Sequence, residues 1–213
     1  MKITIFGANG ATGQLLTERS LAAGHTVTAL VRRPSLFAFQ NRVRVVEGSV
    51  FDSAVVTKAL EGADAVFSAL GAHSPLRNED VLPRAIPVVI EGMQRMGVRR
   101  IIALGSAGAL PDSLGRQPAL LRWFVEKIVY PSVMKWPVHE QRVQYDLLSR
   151  SGLEWTMVLP PVLTNGRATA RYRIDGEALP AGSSHISRSD VADFMMEQLV
   201  SRAWIGRGVY VGN

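Results

Sequence analysis

Cysteine is absent from the 213 residues of this chain, and histidine occurs only four times. The lack of cysteine excludes disulfide bonds, thiolate nucleophiles and cysteine-based metal sites. The histidine, aspartate and glutamate residues also lack the spacing that is typical of metal ligands. No apolar run approaches the length that crosses a membrane. We therefore expect neither a metal centre nor a transmembrane helix.

Acidic residues are the minority among charged residues, since 18 Asp and Glu against 24 Lys and Arg give a formal net charge of +6. The basic residues are scattered and include the pairs Arg32–Arg33 and Arg99–Arg100, with no basic stripe that alternates with aromatic residues. We therefore expect solvated arginines and one site for an anionic small molecule rather than a nucleic-acid surface. The length indicates a single domain spanning residues 1–213. The first predicted strand starts too early for a preceding signal peptide, which predicts a cytoplasmic location.

Two catalytic signatures are missing as well. No Gly-Lys-Ser or Gly-Lys-Thr follows a glycine-rich turn, which argues against a nucleoside triphosphatase. A dehydrogenase that acts on hydroxyl and ketone groups needs a Tyr–Lys pair four residues apart on a helix, but Tyr130 and Lys135 are five apart. Tyr145 has no lysine four residues later. The sequence therefore offers no obvious proton-transfer pair.

What the chain does have is a glycine-rich turn at residues 7–13, directly after a short apolar run. Gly7 is expected to allow a tight turn, Gly10 to let the backbone approach a phosphate, and Gly13 to let the following helix pack closely. A strand that turns into a helix exposes free N–H groups at the positive end of the helix dipole, where a pyrophosphate binds. The remaining members of the predicted dinucleotide turn are Asn9, Ala11 and Thr12.

Strand-like and helix-like segments alternate along the rest of the chain. The predicted strands are Ile3–Phe6, Thr26–Val31, Val43–Glu47, Ala65–Ser68, Arg100–Leu104, Trp155–Leu159 and Val209–Val211. The predicted helices are Ala11–Ala23, Ser53–Leu60, Val81–Met96, Val138–Ser151 and Ser189–Ser201. This alternation predicts an α/β fold, a Rossmann-like doubly wound parallel sheet with helices on both faces.

Two stretches break the alternation. Within residues 105–137, apolar residues recur at helical spacing at Leu121, Phe124, Val125, Ile128 and Val129. We expect this stripe to belong to the core, with a lid, a membrane-surface helix or a dimer face as alternatives. Residues 162–186 are rich in Gly, Pro, Ser and Thr and predict a small C-terminal appendage of loops on the substrate side.

The predicted strand ends carry the candidate ligand contacts. Arg32, with Arg33 beside it, follows the second strand, where an arginine suits the 2′-phosphate of NADP and an acidic residue would suit NAD. The other cofactor candidates at strand ends are Ser49 and Val50 beside the adenine, and Ala69, Leu70 and Gly71 beside the pyrophosphate and nicotinamide ribose. A strand-end turn that caps the next helix is the alternative for Ser49. His73 is a further candidate for substrate contact.

Ser106 follows the fifth strand and is the candidate catalytic residue. A hydroxyl at this edge of the sheet can donate a hydrogen bond to a substrate carbonyl or to a developing oxyanion. An ordinary turn serine is the alternative.

With these residues in place, the chain resembles an atypical short-chain dehydrogenase/reductase, and more narrowly the NAD(P)H-binding proteins grouped with biliverdin reductase B (flavin reductase) and the NmrA-like proteins. The resemblance covers nearly the whole chain and rests on Ile3–Gly13, Leu30–Arg33, Glu47–Asp52, Ser68–Gly71, Leu104–Ala107, residues 151–161 and Ile186–Val191. It implies cofactor contacts by Pro161 and Val162 as well. The flavin reductase has a serine where this chain has Ser106 and a histidine where it has Val162.

Other departures from the family pattern are Ser49 in place of an acidic residue and Gln141 in place of a lysine. The resemblance implies NADPH as cofactor, with NAD as the second choice, and hydride transfer to a flavin or another conjugated small molecule. The flavin is expected as a substrate, not as a tightly bound group, and the substrate as planar and anionic. We expect a monomer or weak homodimer without nucleic-acid or membrane partners. A non-catalytic, NADP(H)-sensing regulator or assembly factor is the alternative, and a nucleotide-sugar epimerase or dehydratase is a weaker one.

Overall fold

An eight-stranded sheet forms the centre of the fold in the computed structural model, which describes residues 1–72, 74 and 76–213. The strands are β1 Lys2–Phe6, β2 Thr26–Val31, β3 Arg44–Glu47, β4 Ala65–Ser68, β5 Arg100–Leu104, β6 Glu154–Leu159, β7 Val162–Thr164, β8 Arg173–Asp175, β9 His185–Ser187 and β10 Arg207–Gly212. The α-helices are α1 Ala11–Ala22, α2 Ser53–Leu60, α3 Val81–Met96, α4 Ala119–Phe124, α5 Lys135–Ser149 and α6 Arg188–Glu197.

The order of the strands across the large sheet is β3-β2-β1-β4-β5-β6-β10-β8. Neighbouring strands are parallel from β3 to β10, and β8 is antiparallel to β10 at the edge. The strands that follow β1 in sequence, β2 and β3, lie on one side of it, and β4, β5 and β6 lie on the other side. The boundary between β1 and β4 is therefore the topological switch point, where ligands bind in folds of this kind. The predicted doubly wound α/β fold is confirmed.

Helices cover both faces of the sheet because its strands are apolar on both sides. One core cluster lies under α2, α3 and α5, and the other lies under α1 and α6. All four residues of β4 are buried, and so are the first four of β5. The strand ends that carry the candidate residues therefore sit on a rigid support at one edge of the sheet.

The predicted helix boundaries are set by local hydrogen bonds. The Asp52 side chain accepts from the N–H groups of Ala54 and Val55 at the start of α2. Gly97 ends α3 with φ of +71°, a left-handed conformation that favours glycine. The Ser187 hydroxyl accepts from the Asp190 N–H at the start of α6. These residues predict the helix ends because capping chemistry is local in sequence.

The apolar stripe of residues 105–137 is largely outside the core, so its assignment as core is wrong. Leu121, Phe124 and Ile128 are between 46% and 49% exposed, and only part of the stripe, including Val125, packs against buried residues. The stripe lies on α4 and on a π-helical turn at Val125–Val129. The two helical layers already cover the sheet, so no core surface remains for this segment to bury.

Arg100 departs from the expectation of scattered surface arginines, because its side chain is buried. The guanidinium donates to the Gln198 carbonyl at 2.6 Å and to the Glu154 carbonyl at 2.7 Å. Burial lowers the pKa of Arg100 to about 10, although the nearby Glu154 charge raises it. Arg100 thus ties the end of α6 to β5 and β6.

The predicted substrate-side loops at residues 162–186 contain three short strands. β7 pairs with β9 in a separate two-stranded sheet, while β8 extends the large sheet. Asp190 at the start of α6 binds this segment through the backbone N–H groups of Thr169 and Ala170, at 2.7 and 2.9 Å. The segment is therefore anchored to α6 at Thr169 and Ala170 and to the large sheet at β8.

Candidate functional site

The glycine-rich turn after β1 is too crowded for side chains at two of its glycines. Gly7 has φ of +78°, and a Cβ there would lie 2.5 Å from the Ala69 carbonyl oxygen. A Cβ on Gly13 would lie 2.1 Å from the Gly7 carbonyl oxygen and 2.8 Å from the Ala8 Cα. The turn therefore packs against the end of β4 on one side and against α1 on the other.

The first turn of α1 has no side-chain cap. Gly10 is its N-cap residue and holds an extended conformation with φ of −73° and ψ of 161°. No acidic residue lies in the first turn, and Asn9, Gly10 and Ala11 are exposed, whereas Thr12 is buried. Free N–H groups at an exposed helix start favour an anion such as a pyrophosphate.

Arg32 and Arg33 extend into solvent at the end of β2. Both are exposed, and neither forms an ion pair with any of the residues that the structure describes. Because β2 pairs with β1, the two unpaired arginines and the uncapped helix start lie at the same edge of the sheet and make it positive. This region suits a second phosphate group.

The adenine candidates after β3 form a compact turn. The Ser49 hydroxyl accepts from the Phe51 N–H at 3.2 Å, and the Ser49 carbonyl accepts from the Asp52 N–H at 3.1 Å. Val50 is half-buried and packs against the core. The hydroxyl of Ser49 thus has a local structural partner, as expected of a turn serine.

The end of β4 lies between the glycine turn and the end of β5. The Ala69 N–H donates to the Phe6 carbonyl at 2.9 Å, so the ends of β1 and β4 stay aligned. Ala69 and Leu70 are half-buried, whereas Gly71 is exposed, and a Cβ on Gly71 would meet no atom within 4 Å. His73 lies outside the described residues.

Ser106 is held in an extended conformation by hydrogen bonds on both sides of it. The Gly105 N–H donates to the Val158 carbonyl at 2.7 Å, and the Ala107 N–H donates to the Pro160 carbonyl at 2.8 Å. The side chain is half-buried, and its hydroxyl bonds to none of the described residues. A fixed backbone with a free hydroxyl is what a hydrogen-bond donor to a ligand requires.

Pro161 and Val162 follow β6 directly. Pro161 is half-buried, whereas the Val162 side chain is 69% exposed. Val162 begins β7 and lies beside His185 of β9 in the parallel register. The structure therefore places Ser106 and Val162 on adjacent strand ends, because β5 and β6 are neighbours.

Glu140 is a buried carboxylate beside the end of β4 that the sequence pattern did not single out. Its side chain is 1% exposed, lies on α5 and accepts from the Leu82 N–H at 3.0 Å through Oε2. It lines a cavity of about 190 Å³ together with Gly71 of the β4 end and Gln141. Glu140, Gln144 and Leu148 are all buried at four-residue spacing. Polar residues on the core-facing side of a helix are the signal that points to this position.

A larger cavity of about 570 Å³ lies apart from the predicted site residues. It is lined by residues of the 110–113 segment and of the helical stretch from Glu126 to Arg142, including Tyr130 and His139. Burial raises the pKa of the Tyr130 hydroxyl, although a hydrogen bond with Ser113 lowers it. None of the predicted cofactor or catalytic residues lines this cavity.

The residues that the structure describes contain neither a cluster of potential metal ligands nor a membrane-spanning helix. Within those residues, no group of three or more His, Cys, Asp or Glu side chains is placed to hold a metal ion. No helix among them is both long and apolar enough to span a bilayer.

Comparison with known proteins decides the family. A model of the NAD(P)H-binding family matches residues 7–202. The chain belongs to this family. The uncharacterized protein YwnB of Bacillus subtilis (strain 168) is 26% identical over 206 residues, which cover 93% of this chain and 92% of YwnB. This match confirms the NAD(P)H-binding resemblance that the sequence motifs indicate.

Solved structures share the fold of this NAD(P)H-binding protein over its whole length. A putative exported protein from Burkholderia pseudomallei is 27% identical, with a TM-score of 0.81 and 100% of both chains covered. A short-chain dehydrogenase/reductase from Veillonella parvula DSM 2008 in complex with NADP is 23% identical, with a TM-score of 0.80 and coverage of 100% and 94%. ChuY, an anaerobillin reductase from Escherichia coli O157:H7, is 22% identical, with a TM-score of 0.78 and coverage of 99% and 96%.

Proposed function

We propose that the protein is an NADPH-dependent reductase that transfers a hydride to a flavin or to a similar conjugated small molecule. One observation carries the proposal. The unpaired Arg32, the uncapped start of α1 and the free Ser106 hydroxyl follow β2, β1 and β5, whose ends lie along one edge of the sheet with β4 between β1 and β5. That order matches the phosphates and the reactive ring of a dinucleotide laid across the switch point.

The residues present fit NADPH. The crowded glycines leave a backbone cradle with no side chain in it, and the N–H groups at the start of α1 would hold the pyrophosphate. Arg32 would bind the 2′-phosphate, with Arg33 as a second cation, and NAD would lose this contact. Ser49 and Val50 would flank the adenine, while Ala69, Leu70, Gly71, Pro161 and Val162 would border the nicotinamide half.

When bound, NADPH supplies the hydride. Ser106 would donate a hydrogen bond to the acceptor and fix its ring against the nicotinamide face. Reduction of a flavin needs little else from the protein, because water can supply the proton after hydride transfer and the enzyme mainly orients two rings. The absence of a Tyr–Lys pair is therefore compatible with turnover of such an acceptor.

The acceptor is proposed to be planar and anionic. ChuY shares the fold and is an anaerobillin reductase, which supports a conjugated acceptor for this chain as well. The formal net charge of +6 would favour the approach of an anion. The protein would work as a monomer or weak homodimer in the cytoplasm.

Anaerobic mixing of the purified protein with NADPH and FMN tests this function. We expect the nicotinamide and flavin absorbance bands to fall together, and Ser106→Ala to slow turnover more than it weakens NADPH binding. Thr57→Ala, at a half-buried position on α2, is a control that should turn over normally. An unchanged rate in Ser106→Ala would remove Ser106 from the site.

A second candidate function is that of an NADP(H)-sensing regulator. The exposed apolar side chains of α4 favour it, because Leu120 and Trp123 are 79% and 55% exposed and offer a surface to a partner. This function predicts tight NADP⁺ binding without turnover of any flavin, quinone or tetrapyrrole. It also predicts a partner protein that binds differently in the presence of NADP⁺ and of NADPH. A pull-down that captures the same proteins with either form of the cofactor would contradict this function.

A further inference from the structure

Five large apolar side chains on α4 and the π-helical turn form one exposed surface, and each of them is between 46% and 79% exposed. This α4 surface consists of Leu120, Leu121, Trp123, Phe124 and Ile128. Spacings of three and four residues place these side chains on one side of the helical stretch. Val125 and Tyr130 pack against the core instead. The α4 surface therefore remains open to solvent when the rest of the described chain has folded.

The charged residues of the same stretch are mostly basic. Between residues 118 and 136 the chain contains Arg122, Lys127 and Lys135, with Glu126 as the one acidic residue. The three basic residues are exposed, whereas Glu126 is half-buried. None of the three forms an ion pair with a residue that the structure describes. The stretch therefore combines an apolar surface with positive charges that have no acidic partner.

An anionic lipid bilayer matches both features of this stretch. An amphipathic helix lies in the membrane interface with its apolar side among the upper acyl chains, and its Lys and Arg residues bind anionic headgroups. Trp, Phe and Leu are the residues that such helices insert, and Trp is enriched at the depth of the headgroups. All residues of the α4 surface except Ile128 are of these three types. Composition and charge thus indicate the same occupant.

A second copy of the chain fits the α4 surface less well. A two-fold contact places the same patch of both copies face to face. The Arg122 and Lys127 side chains of the two copies would then lie close together, and like charges at short distance repel. Glu126 carries the one negative charge of the stretch and is half-buried. The charges therefore favour a negatively charged surface over self-association.

We propose that the α4 surface docks the protein on anionic lipid bilayers. The apolar side chains enter the interface, and Arg122 and Lys127 contact the headgroups. The contact is peripheral, because none of the described helices is long and apolar enough to cross a bilayer. This proposal replaces the expectation of a protein without a membrane partner. It rests on α4 and the π-helical turn alone and is independent of the proposed reductase function.

Sedimentation with lipid vesicles tests the docking surface. The full chain is mixed with vesicles of phosphatidylcholine alone, or with vesicles of equal parts phosphatidylcholine and phosphatidylglycerol. We expect an affinity for the anionic vesicles that is at least about tenfold higher and that falls as salt is added. Equal affinity for the two kinds of vesicle would overturn the proposal, and so would the absence of binding to both.

Two double variants separate the α4 surface from the net charge of +6. One combines Leu120→Ser with Phe124→Ser, and the other combines Arg122→Gln with Lys127→Gln. All four positions are exposed, so both variants should unfold at the wild-type temperature. We expect each to bind the anionic vesicles at least about tenfold more weakly than the wild type.

The controls make the same kinds of change away from α4. Val200→Ser removes an apolar side chain that is 81% exposed after α6, and Arg171→Gln removes an exposed charge before β8. Both should bind the vesicles as the wild type does. Wild-type binding in the Leu120→Ser, Phe124→Ser variant would overturn the proposal, because diffuse positive charge would then explain the binding. A chain that stays off the vesicles but forms a dimer or binds a protein through the α4 surface would also overturn it.

Discussion

Gly13 has no room for a side chain, because the atoms that a Cβ would meet belong to the backbone of Gly7 and Ala8. Gly13→Ala should therefore separate α1 from the turn that it supports. We expect the free energy of unfolding to fall by about 1–3 kcal/mol and NADP⁺ binding to be lost. Chemical denaturation and calorimetric titration measure the two effects. Wild-type affinity for NADP⁺ would show that the turn does not hold the pyrophosphate.

Gly10→Ala is the matched change in the same turn. A Cβ added at Gly10 would lie 3.2 Å from the Gly7 carbonyl oxygen, the one described atom within 4 Å of it outside the adjoining residues. The Gly10 φ of −73° is a backbone conformation that any residue adopts. We expect this variant to remain nearly as stable as the wild type but to bind NADP⁺ more weakly, because the methyl group would lie where the phosphates approach. Together the two variants separate the folding role of the glycines from their binding role.

We expect Arg32 to determine the preference for NADP over NAD. Arg32→Ala should weaken NADPH binding at least about tenfold and change NADH binding little, because the 2′-phosphate loses its charged partner. Arg33→Ala should have a smaller effect of the same kind. Fluorescence titration with both nucleotides checks the prediction. Equal losses for NADPH and NADH would rule out a 2′-phosphate contact.

Asp190 links α6 to the substrate-side segment and makes the stability of that link depend on pH. Burial by itself raises the pKa of this carboxyl, but donors from Ser187, Ala170 and Thr169 outweigh it, so the pKa lies below the ordinary aspartate value. A lowered folded-state pKa means that the stabilisation is complete above the unfolded-state value of about 3.9 and is lost as the pH falls through the folded-state value.

Asp190→Asn tests that link. We expect a loss of about 1.5–3 kcal/mol in unfolding free energy at neutral pH, because the variant replaces charge-assisted hydrogen bonds with neutral ones. The difference from the wild type should shrink below about pH 4. Thermal unfolding measured across pH supplies the readout, with Asp146→Asn, at an exposed position on α5, as a comparison. A difference that stays constant down to acidic pH would contradict an ionised Asp190.

Leucines in α4 and α5 should respond very differently to truncation. Leu148 is fully buried, and Leu148→Ala should cost about 2–5 kcal/mol of stability. Leu120 is 79% exposed, and Leu120→Ala should change stability by less than about 0.5 kcal/mol. Denaturant titration of both variants checks this. A large loss in Leu120→Ala would mean that α4 is covered by another surface in solution.

The strands and most helix ends could be predicted because their causes are local. Apolar runs and the capping residues Asp52, Gly97 and Ser187 are visible in the sequence itself. The exposure of α4 could not be predicted from the sequence. An apolar stripe has the same residue spacing whether it packs against a sheet or, as here, finds the sheet already covered by other helices. Glu140 was missed for a related reason: its partner Leu82 is 58 positions away, and only the packed helices bring the two together.

At the scale of the whole molecule, the candidate site follows from the order of the strands. The sheet places the ends of β2, β1, β4 and β5 side by side, so Arg32, the glycine turn, Gly71 and Ser106 follow one another along a single edge. Neighbouring strands lie about 4.8 Å apart, so this edge is long enough for an extended dinucleotide. We therefore expect the specificity for the 2′-phosphate at one end of this edge and the chemistry at the other.

Anaerobic turnover tests the proposed hydride transfer from NADPH to a flavin most directly. The measurement follows the nicotinamide and flavin absorbance bands after FMN is added to the protein with NADPH or with NADH. We expect one NADPH oxidised for each flavin reduced, a slower reaction with NADH, and a lower rate in Ser106→Ala. NADP⁺ binding accompanied by no reduction of FMN, of a tetrapyrrole or of a quinone would contradict it.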